Sequence, residues 1–184
     1  MTLPIAAIDR SWSVFLDRDG VINRHVPNDY VKSVDEFEIL PDVPQAIARL
    51  TRRFGRLFVA TNQQGVGKGL YTQADLDLIH AHMLGLIAAE GGRIDRIYVA
   101  PQLASENSPW RKPGIGMALQ AKRDFPEIDL MKSIMVGDSL GDMQFGRNAG
   151  MQTVWIGNPT DRALDEGLFD AAFPSLAQFA DSFV

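Results

Sequence analysis

Two carboxylates two residues apart, Asp17 and Asp19, follow an apolar run in the stretch FLDRDGVIN. Such a pair could combine a nucleophile with a neighbouring acid that transfers a proton. Carboxylate oxygens are also ligands for Mg²⁺. Asp and Gly are common turn formers, however, so this stretch alone is equally consistent with a simple turn.

Three further stretches carry polar groups that could take part in the same chemistry. Thr61 ends the apolar run RLFVAT, and Lys112 lies in RKPGIGM, just ahead of a predicted helix. Asp138 and Asp142 flank a predicted helix start in VGDSLGDMQFGRNAG, where a carboxylate can also be a cap. Each residue has a structural explanation when taken alone, so the order of the stretches is the stronger signal.

The stretch TNQQGVGKGL contains a Gly-Lys pair that suggests a nucleotide-binding P-loop. That motif needs a glycine five residues before the pair and a Ser or Thr directly after it. Asn62 and Gly69 occupy those two positions. The P-loop interpretation therefore fails, and Lys68 is expected in solvent more than beside an anionic ligand.

Strands and helices alternate along the chain, which predicts an α/β fold. The five predicted strands are SVFLD, RLFVAT, RIYVA, SIMVGD and QTVWIG. Apolar residues at helical spacing predict a helix after Asp42 and another after Thr72, where Asp75 completes a capping box. Two more helices are predicted from about 113 to before 126 and from about 140 to 150. In the tail, DAAF is the candidate edge strand and PSLAQFADSF the candidate final helix.

Parallel strands covered by helices on both faces form a Rossmann-like three-layer sandwich with a mostly parallel central sheet. Ligands bind at the carboxyl ends of such strands. Asp17, Thr61 and Asp138 each lie where a predicted strand stops. We therefore expect three separate strand ends to bring these side chains to one edge of the sheet.

The ordered stretches FLDRDGVIN, TNQQGVGKG, RKPGIGM and VGDSLGDMQFGRNAG resemble those of the haloacid dehalogenase superfamily of phosphotransferases. The resemblance covers about residues 13 to 157. More narrowly, it is to the group containing heptose bisphosphate and histidinol phosphate phosphatases. The intervals in which relatives insert a lid hold too little chain for one, so we expect a capless core and a single domain over residues 1–184.

The resemblance implies a role for each of the acids and their partners. Asp17 would be the nucleophile that forms an aspartyl-phosphate, and Asp19 would protonate the leaving oxygen and then activate water. Thr61 would hold a phosphoryl oxygen, and Lys112 would neutralise negative charge. Asp142 is expected to stabilise the position of either the metal ion or Lys112.

Mg²⁺ is the expected cofactor because a carboxylate that faces a phosphate dianion repels it unless a cation intervenes. The expected ligands are the carboxylates of Asp17 and Asp138 and the backbone carbonyl of Asp19. The resemblance further places Asn62 and Arg111 on the substrate. It also places Asn28, Asp29 and Tyr30 in the loop that faces the substrate.

The sequence departs from many members of this group in a loop that binds structural zinc through Cys-x-His and Cys-x-Cys. The matching positions are Ala100, Gln102, Ser108 and Trp110. None of these side chains is a thiolate or imidazole, so no structural zinc is expected. The prolines of the loop and packing of Trp110 should hold it instead, and His25, His80 and His82 are expected to be solvated or packed.

Composition excludes several other classes of protein. The 184 residues include no cysteine, which excludes disulfides and cysteine nucleophiles, and the net charge of -5 gives no support for a nucleic-acid partner. The longest apolar run, MLGLIAA, is too short to span a bilayer. We expect a cytoplasmic protein without a membrane partner.

The sequence therefore favours a magnesium-dependent phosphatase of a small phosphorylated metabolite, most plausibly a sugar phosphate such as D-glycero-D-manno-heptose 1,7-bisphosphate. Histidinol phosphate is the alternative substrate within the same group. A module that binds phosphate esters without catalysis would be a different class of protein. Such a module would not need both Asp17 and Asp19, which argues for an enzyme.

Overall fold

A computed structural model of the protein describes residues 3–183. Its centre is a six-stranded sheet in the order β3-β2-β1-β4-β5-β6, and every adjacent pair of strands is parallel. The strands are β1 (Ser13–Leu16), β2 (Arg56–Asn62), β3 (Arg96–Ala100), β4 (Ser133–Gly137), β5 (Gln152–Ile156) and β6 (Ala171–Phe173). The predicted α/β class with a parallel central sheet is confirmed, and DAAF does contain the edge strand.

Within the described residues, seven α-helices surround or flank the sheet. They are α1 (Val43–Arg53), α2 (Gln64–Gly67), α3 (Gln73–Ala89), α4 (Gly116–Asp124), α5 (Leu140–Asn148), α6 (Asp161–Asp165) and α7 (Leu176–Asp181). The short helices α2 and α6 were not predicted, because one turn of helix leaves too few residues for a periodic apolar pattern. No helix within residues 3–183 has the length and apolarity that crossing a membrane requires.

Alternate residues of β1 enter two separate cores, as the pleat of a strand requires. Val14 and Leu16 pack with residues of α1, α3 and α7, whereas Phe15 packs with residues of α4 and α5. The sheet is therefore covered on both faces, which is the predicted three-layer arrangement. Within the chain from Leu3 to Phe183, the intervals before α1 and before Lys112 hold no inserted lid domain, in agreement with a capless core.

The predicted helix starts differ in how they are capped. The capping box of Thr72 and Asp75 is formed as predicted. Asp42 does precede α1, but it adopts a left-handed conformation with φ 61° and its side chain makes no capping hydrogen bond. The helix predicted from about 113 begins at Gly116, because residues before it form turns closed by Gly114 N–H to Arg111 O and Gly116 N–H to Pro109 O.

Candidate active site

The carboxyl ends of the three central strands bring the predicted acids together. Leu16 pairs with Val59 of β2 and with Val136 of β4, so the three strands end close to the same level. Asp17 follows directly and donates its backbone N–H to Val136 O at 2.9 Å. Asp138 follows β4 in the same way, and the predicted convergence of these two carboxylates is what the fold shows.

Lys112 reaches this strand edge from the segment before α4 and is almost fully buried. Its Nζ lies 2.8 Å from Asp17 Oδ1 and 2.5 Å from Asp142 Oδ1, and it donates to Ala60 O at 2.7 Å. All three positions of the ammonium group therefore have acceptors. Lys112 consequently occupies a single place between the two carboxylates.

The second oxygen of Asp142 takes part in capping the N-terminus of α5. Asp142 Oδ2 accepts hydrogen bonds from Ser139 Oγ at 2.5 Å and from Ser139 N–H at 3.1 Å, which forms a capping box. One carboxylate thus serves as a helix cap and as a partner of Lys112. Of the two supporting roles expected for Asp142, the contact with Lys112 is direct.

Crowding of carboxylates in a buried place changes their proton affinity. Burial, and then the negative charge of Asp142, raise the pKa of Asp17 to about 8 even though Lys112 opposes the shift. The same two causes raise the pKa of Asp138 to about 6. Burial lowers the pKa of Lys112, but the charges of Asp142 and Asp17 outweigh burial and raise it above its ordinary value.

The carboxylates form a site whose chemistry suits a hard divalent cation. One oxygen each from Asp17, Asp138 and Asp142 lies within 4.8 Å of the others. One ammonium group, that of Lys112, faces these three carboxylates and contacts two of them, so part of their negative charge is left uncompensated when they are ionised. Oxygen ligands and uncompensated charge are what Mg²⁺ requires, so the residues fit the expected cofactor.

The side chain of Asp19 is held by a network that sequence reasoning missed. Asp19 Oδ1 accepts from Arg18 Nη2 at 2.8 Å and from Asn23 Nδ2 at 3.0 Å, and Asp19 Oδ2 accepts from Gln63 Nε2 at 2.8 Å. Burial alone would raise the pKa of Asp19, but the charge of Arg18 and these hydrogen bonds lower it. Asp19 is therefore stabilised as a carboxylate.

Arg18 is fully buried, which is unusual for an arginine. Its Nη1 lies 3.3 Å from Nε2 of the buried His80. Burial, and then the charge of Arg18, lower the pKa of His80 to about 4, so this ring is neutral and packed, as expected. The only signal for Arg18 in the sequence was its position between two acids that were predicted to carry the chemistry.

A pocket of about 180 Å³ opens over the carboxylates. Its lining includes most of the predicted site residues and three others, namely Asp17, Asp19, His25, Val26, Asp29, Tyr30, Asn62, Lys112, Asp138, Ser139 and Asp142. Asn28 does not line it. Thr61 is buried beneath the strand edge, where its Oγ1 accepts from Gln63 Nε2 at 2.8 Å, and it does not line the pocket either.

Asn62 lines the pocket, but both ends of its amide are bound to the main chain of Lys112. Its Oδ1 accepts from Lys112 N–H at 3.0 Å, and its Nδ2 donates to Lys112 O at 3.2 Å. This arrangement fixes the backbone from which the Lys112 side chain enters the site. Contact of Asn62 with substrate stays a prediction.

Tyr30 lies at the rim of the pocket with basic residues around it. Its hydroxyl accepts from Lys68 Nζ at 3.0 Å and from Gln64 Nε2 at 2.8 Å. Burial raises the pKa of Tyr30, but these hydrogen bonds and the charges of Lys68 and Arg111 lower it overall. Lys68 is exposed, as expected, yet it is engaged with Tyr30 and not free in solvent.

The structure gives Arg111 and His25 surroundings that the sequence did not indicate. Arg111 lines an adjacent pocket with residues of the loop before it, and its charge acts on Tyr30 at the rim, so its contact with substrate stays a prediction. His25 is exposed, which agrees with the expected solvated ring, but it also lines the pocket, and its charge lowers the pKa of Asp138 against the larger effect of burial. Nothing in the residue spacing indicated that the chain would return His25 to this edge.

The loop that precedes Lys112, residues 101–111, is held by hydrogen bonds. Trp110 Nε1 donates to Val99 O at 2.6 Å, and the ring packs against the core on the α4 side of the sheet. Ala104 N–H donates to Gln64 Oε1 at 3.2 Å, and Leu103 N–H donates to Glu106 Oε1 at 2.9 Å. Trp110 packs as predicted, and it also ties the loop to β3.

Residues 14–173 match the family described as polynucleotide kinase 3 phosphatase. The chain is also 40% identical over 174 residues to the D-glycero-alpha-D-manno-heptose-1,7-bisphosphate 7-phosphatase of Mycobacterium bovis, a match that covers 92% of this chain and 90% of the relative. It is 38% identical over 143 residues to the D-glycero-beta-D-manno-heptose-1,7-bisphosphate 7-phosphatase of Pseudomonas aeruginosa, covering 78% and 79%.

The fold is similar to a solved structure of the same kind of enzyme. The crystal structure of D,D-heptose 1,7-bisphosphate phosphatase from B. bronchiseptica, complexed with magnesium and phosphate, superposes with a TM-score of 0.83. The two chains are 35% identical, and the match covers 92% of this chain and 96% of the other.

Proposed function

The chain belongs to the heptose bisphosphate phosphatase group of the haloacid dehalogenase superfamily, and we propose that it hydrolyses one phosphate ester of D-glycero-D-manno-heptose 1,7-bisphosphate with Mg²⁺. The relatives are named as 7-phosphatases, so the 7-phosphate is the proposed group removed. The observation that carries the proposal is the pocket in which Asp17 lies 2.8 Å from Lys112 and beside Asp138.

The proposed reaction has two displacements at phosphorus. In the first, a carboxylate oxygen of Asp17 forms a bond to phosphorus, the bond from phosphorus to the sugar oxygen breaks, and Asp19 gives that oxygen its proton. In the second, water attacks the aspartyl-phosphate, Asp19 takes a proton from the water, and phosphate leaves. Asp17 and Asp19 are regenerated, so atoms and protons balance.

Asp19 has to become protonated when the substrate binds. The free site favours its carboxylate form, because Arg18 and three hydrogen bonds lower its pKa. A bound phosphate brings negative charge close to the carboxylate, and nearby like charge raises a pKa. Asp19 would then carry a proton for the first displacement and be ready to accept one for the second.

Positive charge and hydrogen-bond donors must offset the repulsion between Asp17 and the phosphate dianion. Lys112 supplies a fixed ammonium group. We keep the Thr61 hydroxyl as the proposed donor to a phosphoryl oxygen, which requires the bound phosphate to reach beyond the residues that line the pocket. Asp17 and Asp138, with the backbone carbonyl of Asp19, would hold Mg²⁺, supported by Asp142. The ion, when bound, would neutralise phosphoryl oxygens and orient the phosphate.

The rest of the substrate would lie towards the rim. Asp29 and Tyr30 line the pocket there, and the charges of Arg111 and Lys68 act on Tyr30. A second phosphate needs cationic partners, and Arg111 is suited to bind phosphate with two parallel hydrogen bonds. We keep Asn28, Asp29, Tyr30, Asn62 and Arg111 as the proposed substrate contacts.

The proposal is tested by Mg²⁺-dependent phosphate release from both anomers of the heptose bisphosphate, histidinol phosphate, other sugar phosphates and p-nitrophenyl phosphate. A 3′-phosphorylated oligonucleotide belongs in the same screen, because the matched family is described by that activity. Preference for the heptose bisphosphate supports the proposal. Faster turnover of histidinol phosphate or the oligonucleotide would replace the substrate, and no turnover of any ester would favour a binding module.

Asp17→Asn should abolish turnover, by at least about 1,000-fold, because the amide is a far poorer nucleophile than the carboxylate. Circular dichroism and thermal melting should show a folded variant, since the substitution is isosteric. Mass spectrometry of the wild-type enzyme quenched during turnover should find the phosphoryl group on the peptide containing Asp17. Full activity of a folded Asp17→Asn enzyme would show that the nucleophile is another residue.

A further inference from the structure

A chain of buried hydrogen bonds runs from Tyr71 through Gln63 to Asp19. Tyr71 hydroxyl donates to Gln63 Oε1 at 2.6 Å. Gln63 Nε2 then donates to Asp19 Oδ2 and to Thr61 Oγ1, both at 2.8 Å. Tyr71 and Gln63 are both buried, and neither lines the pocket over the acids.

The Tyr71 hydroxyl fixes which end of the Gln63 amide faces the acid. Burial raises the pKa of Tyr71 to about 12, so its hydroxyl is protonated and can donate to the amide oxygen. With the oxygen turned to Tyr71, the amide NH₂ is turned to Asp19 and Thr61. The reverse orientation would place the amide oxygen against the Asp19 carboxylate, which repels it.

The backbone beneath Tyr71 holds its ring in place. A Cβ at Gly65 would lie 2.2 Å from Tyr71 Cε1, so the ring lies directly on the main chain of α2. The phenol is therefore packed against a rigid surface as well as hydrogen-bonded. A packed donor keeps the Gln63 amide in one orientation more effectively than a mobile one.

Counting donors shows which oxygen of Asp19 is left for a proton. A carboxylate has about four acceptor positions, two on each oxygen. Arg18 and Asn23 occupy both positions on Oδ1, and Gln63 occupies one on Oδ2. The remaining position is on Oδ2, and Asp19 lines the pocket with a quarter of its side chain exposed.

We propose that Gln63, oriented by Tyr71, is a positioning residue that holds Oδ2 of Asp19 in the place from which it exchanges a proton with the leaving oxygen. This inference rests on the proposed phosphatase function and extends it to two residues outside the pocket. Neither side chain lines the pocket, so neither is assigned a contact with the substrate. Loss of the bond from Gln63 to Thr61 should affect all esters alike, whereas loss of the bond to Asp19 should affect most the esters whose leaving group needs a proton.

Leaving groups of different basicity separate proton transfer from general loss of structure. A sugar alkoxide must be protonated as it departs, whereas p-nitrophenolate is stable without a proton. Tyr71→Phe removes only the hydroxyl that orients Gln63. We expect it to lower kcat/KM about tenfold for the best sugar phosphate, the loss associated with one hydrogen bond. Because kcat/KM reports the first displacement and not the later attack of water on the aspartyl-phosphate, kcat/KM for p-nitrophenyl phosphate should fall less than about twofold, and the two activities are compared as kcat/KM values.

Tyr98→Phe is the matched control. Tyr98 is also buried, and its hydroxyl donates to Asp124 Oδ2 at 3.0 Å, from β3 to α4 and away from the pocket. The Tyr98→Phe variant should lose a similar hydrogen bond without altering the ratio of sugar phosphate to p-nitrophenyl phosphate activity. A change in that ratio for Tyr98→Phe, or an equal fall of both activities for Tyr71→Phe, would overturn the proposal.

Gln63→Leu tests the same chain from its other end. It should lower the ratio of sugar phosphate to p-nitrophenyl phosphate activity at least as much as Tyr71→Phe does. Adding Tyr71→Phe to Gln63→Leu should cause no further loss, because the hydroxyl acts only through the amide. Additive losses would show that Tyr71 acts by another route. Absence of activity with both esters in the wild-type enzyme would instead contradict the proposed function itself.

Discussion

At the scale of single residues, Lys112 makes the carboxylate cluster possible. Asp17, Asp138 and Asp142 each place an oxygen within 4.8 Å of the others, and like charges this close disfavour ionisation. The ammonium group contacts two of the three acids directly. The charge that remains uncompensated is what favours binding of a divalent cation.

Gly20 is required at this site for two reasons. Its φ is +89°, in the region that residues with a side chain rarely adopt. In addition, a Cβ at this position would lie 1.9 Å from Asp138 Oδ2. Any side chain at position 20 would therefore have to displace a proposed metal ligand.

Gly20→Ala should raise the Mg²⁺ concentration for half-maximal activity by about tenfold or more, an expectation based on the effect of disturbing the supports of a metal ligand. A titration of activity against Mg²⁺ measures this. Gly85→Ala is the control, because Gly85 lies within α3 and nothing lies within 4 Å of a Cβ there. The prediction would be wrong if both variants had the Mg²⁺ dependence of the wild type.

At the scale of elements, the loop 101–111 shows how a backbone segment next to the site is fixed by hydrogen bonds. Trp110 Nε1 donates to Val99 O, which joins the loop to β3. Ala104 N–H donates to Gln64 Oε1, which joins the loop to α2. The turn closed by Gly116 N–H and Pro109 O then leads into α4. These bonds position Lys112 directly after the loop.

The purified protein should contain less than about 0.1 zinc per chain, because Ala100, Gln102, Ser108 and Trp110 offer no thiolate or imidazole. Elemental analysis after dialysis against metal-free buffer measures this. A chelator should leave the thermal melting temperature of the Mg²⁺-free protein unchanged. Close to one zinc per chain that survives dialysis would contradict the prediction.

At the scale of the whole molecule, the site couples metal binding to stability. The folded-state pKa values of Asp17 and Asp138, about 8 and about 6, lie above their ordinary value of 3.8. Folding therefore favours the protonated acids. The stability that this supplies to the metal-free protein is complete below pH 3.8 and is lost as the pH rises through about 6 and about 8.

Mg²⁺ should stabilise the protein more at high pH than at low pH, because it binds the ionised carboxylates and binding to the folded state adds stability. We expect the rise in melting temperature caused by about 10 mM Mg²⁺ to be larger at pH 8.5 than at pH 6, because an ion that binds only the folded state adds stability according to how tightly it binds. Differential scanning calorimetry measures it. Asp138→Asn should reduce the difference, and an equal rise at both pH values in the wild type would refute the linkage.

Local patterns in the sequence were sufficient for the strands, the longer helices and the positions of the main acids. Apolar runs ended at Asp17, Thr61 and Asp138, and the geometry of a parallel sheet places such ends at one edge whatever the loops between them do. The Thr72 capping box was also readable, because its partners lie three residues apart. One-turn helices and the left-handed Asp42 gave no such local pattern.

Only the tertiary structure decided which side chains meet. Gln63 reaches Asp19 across 44 residues, and Lys112 reaches Asp17 across 95. Burial of Arg18, return of His25 to the pocket and the position of Thr61 beneath it depend on strand order and on the course of the loops. Periodicity fixes which face of an element is apolar, but it carries no information about distant partners, and hydrogen bonds between such partners require both segments to be folded first.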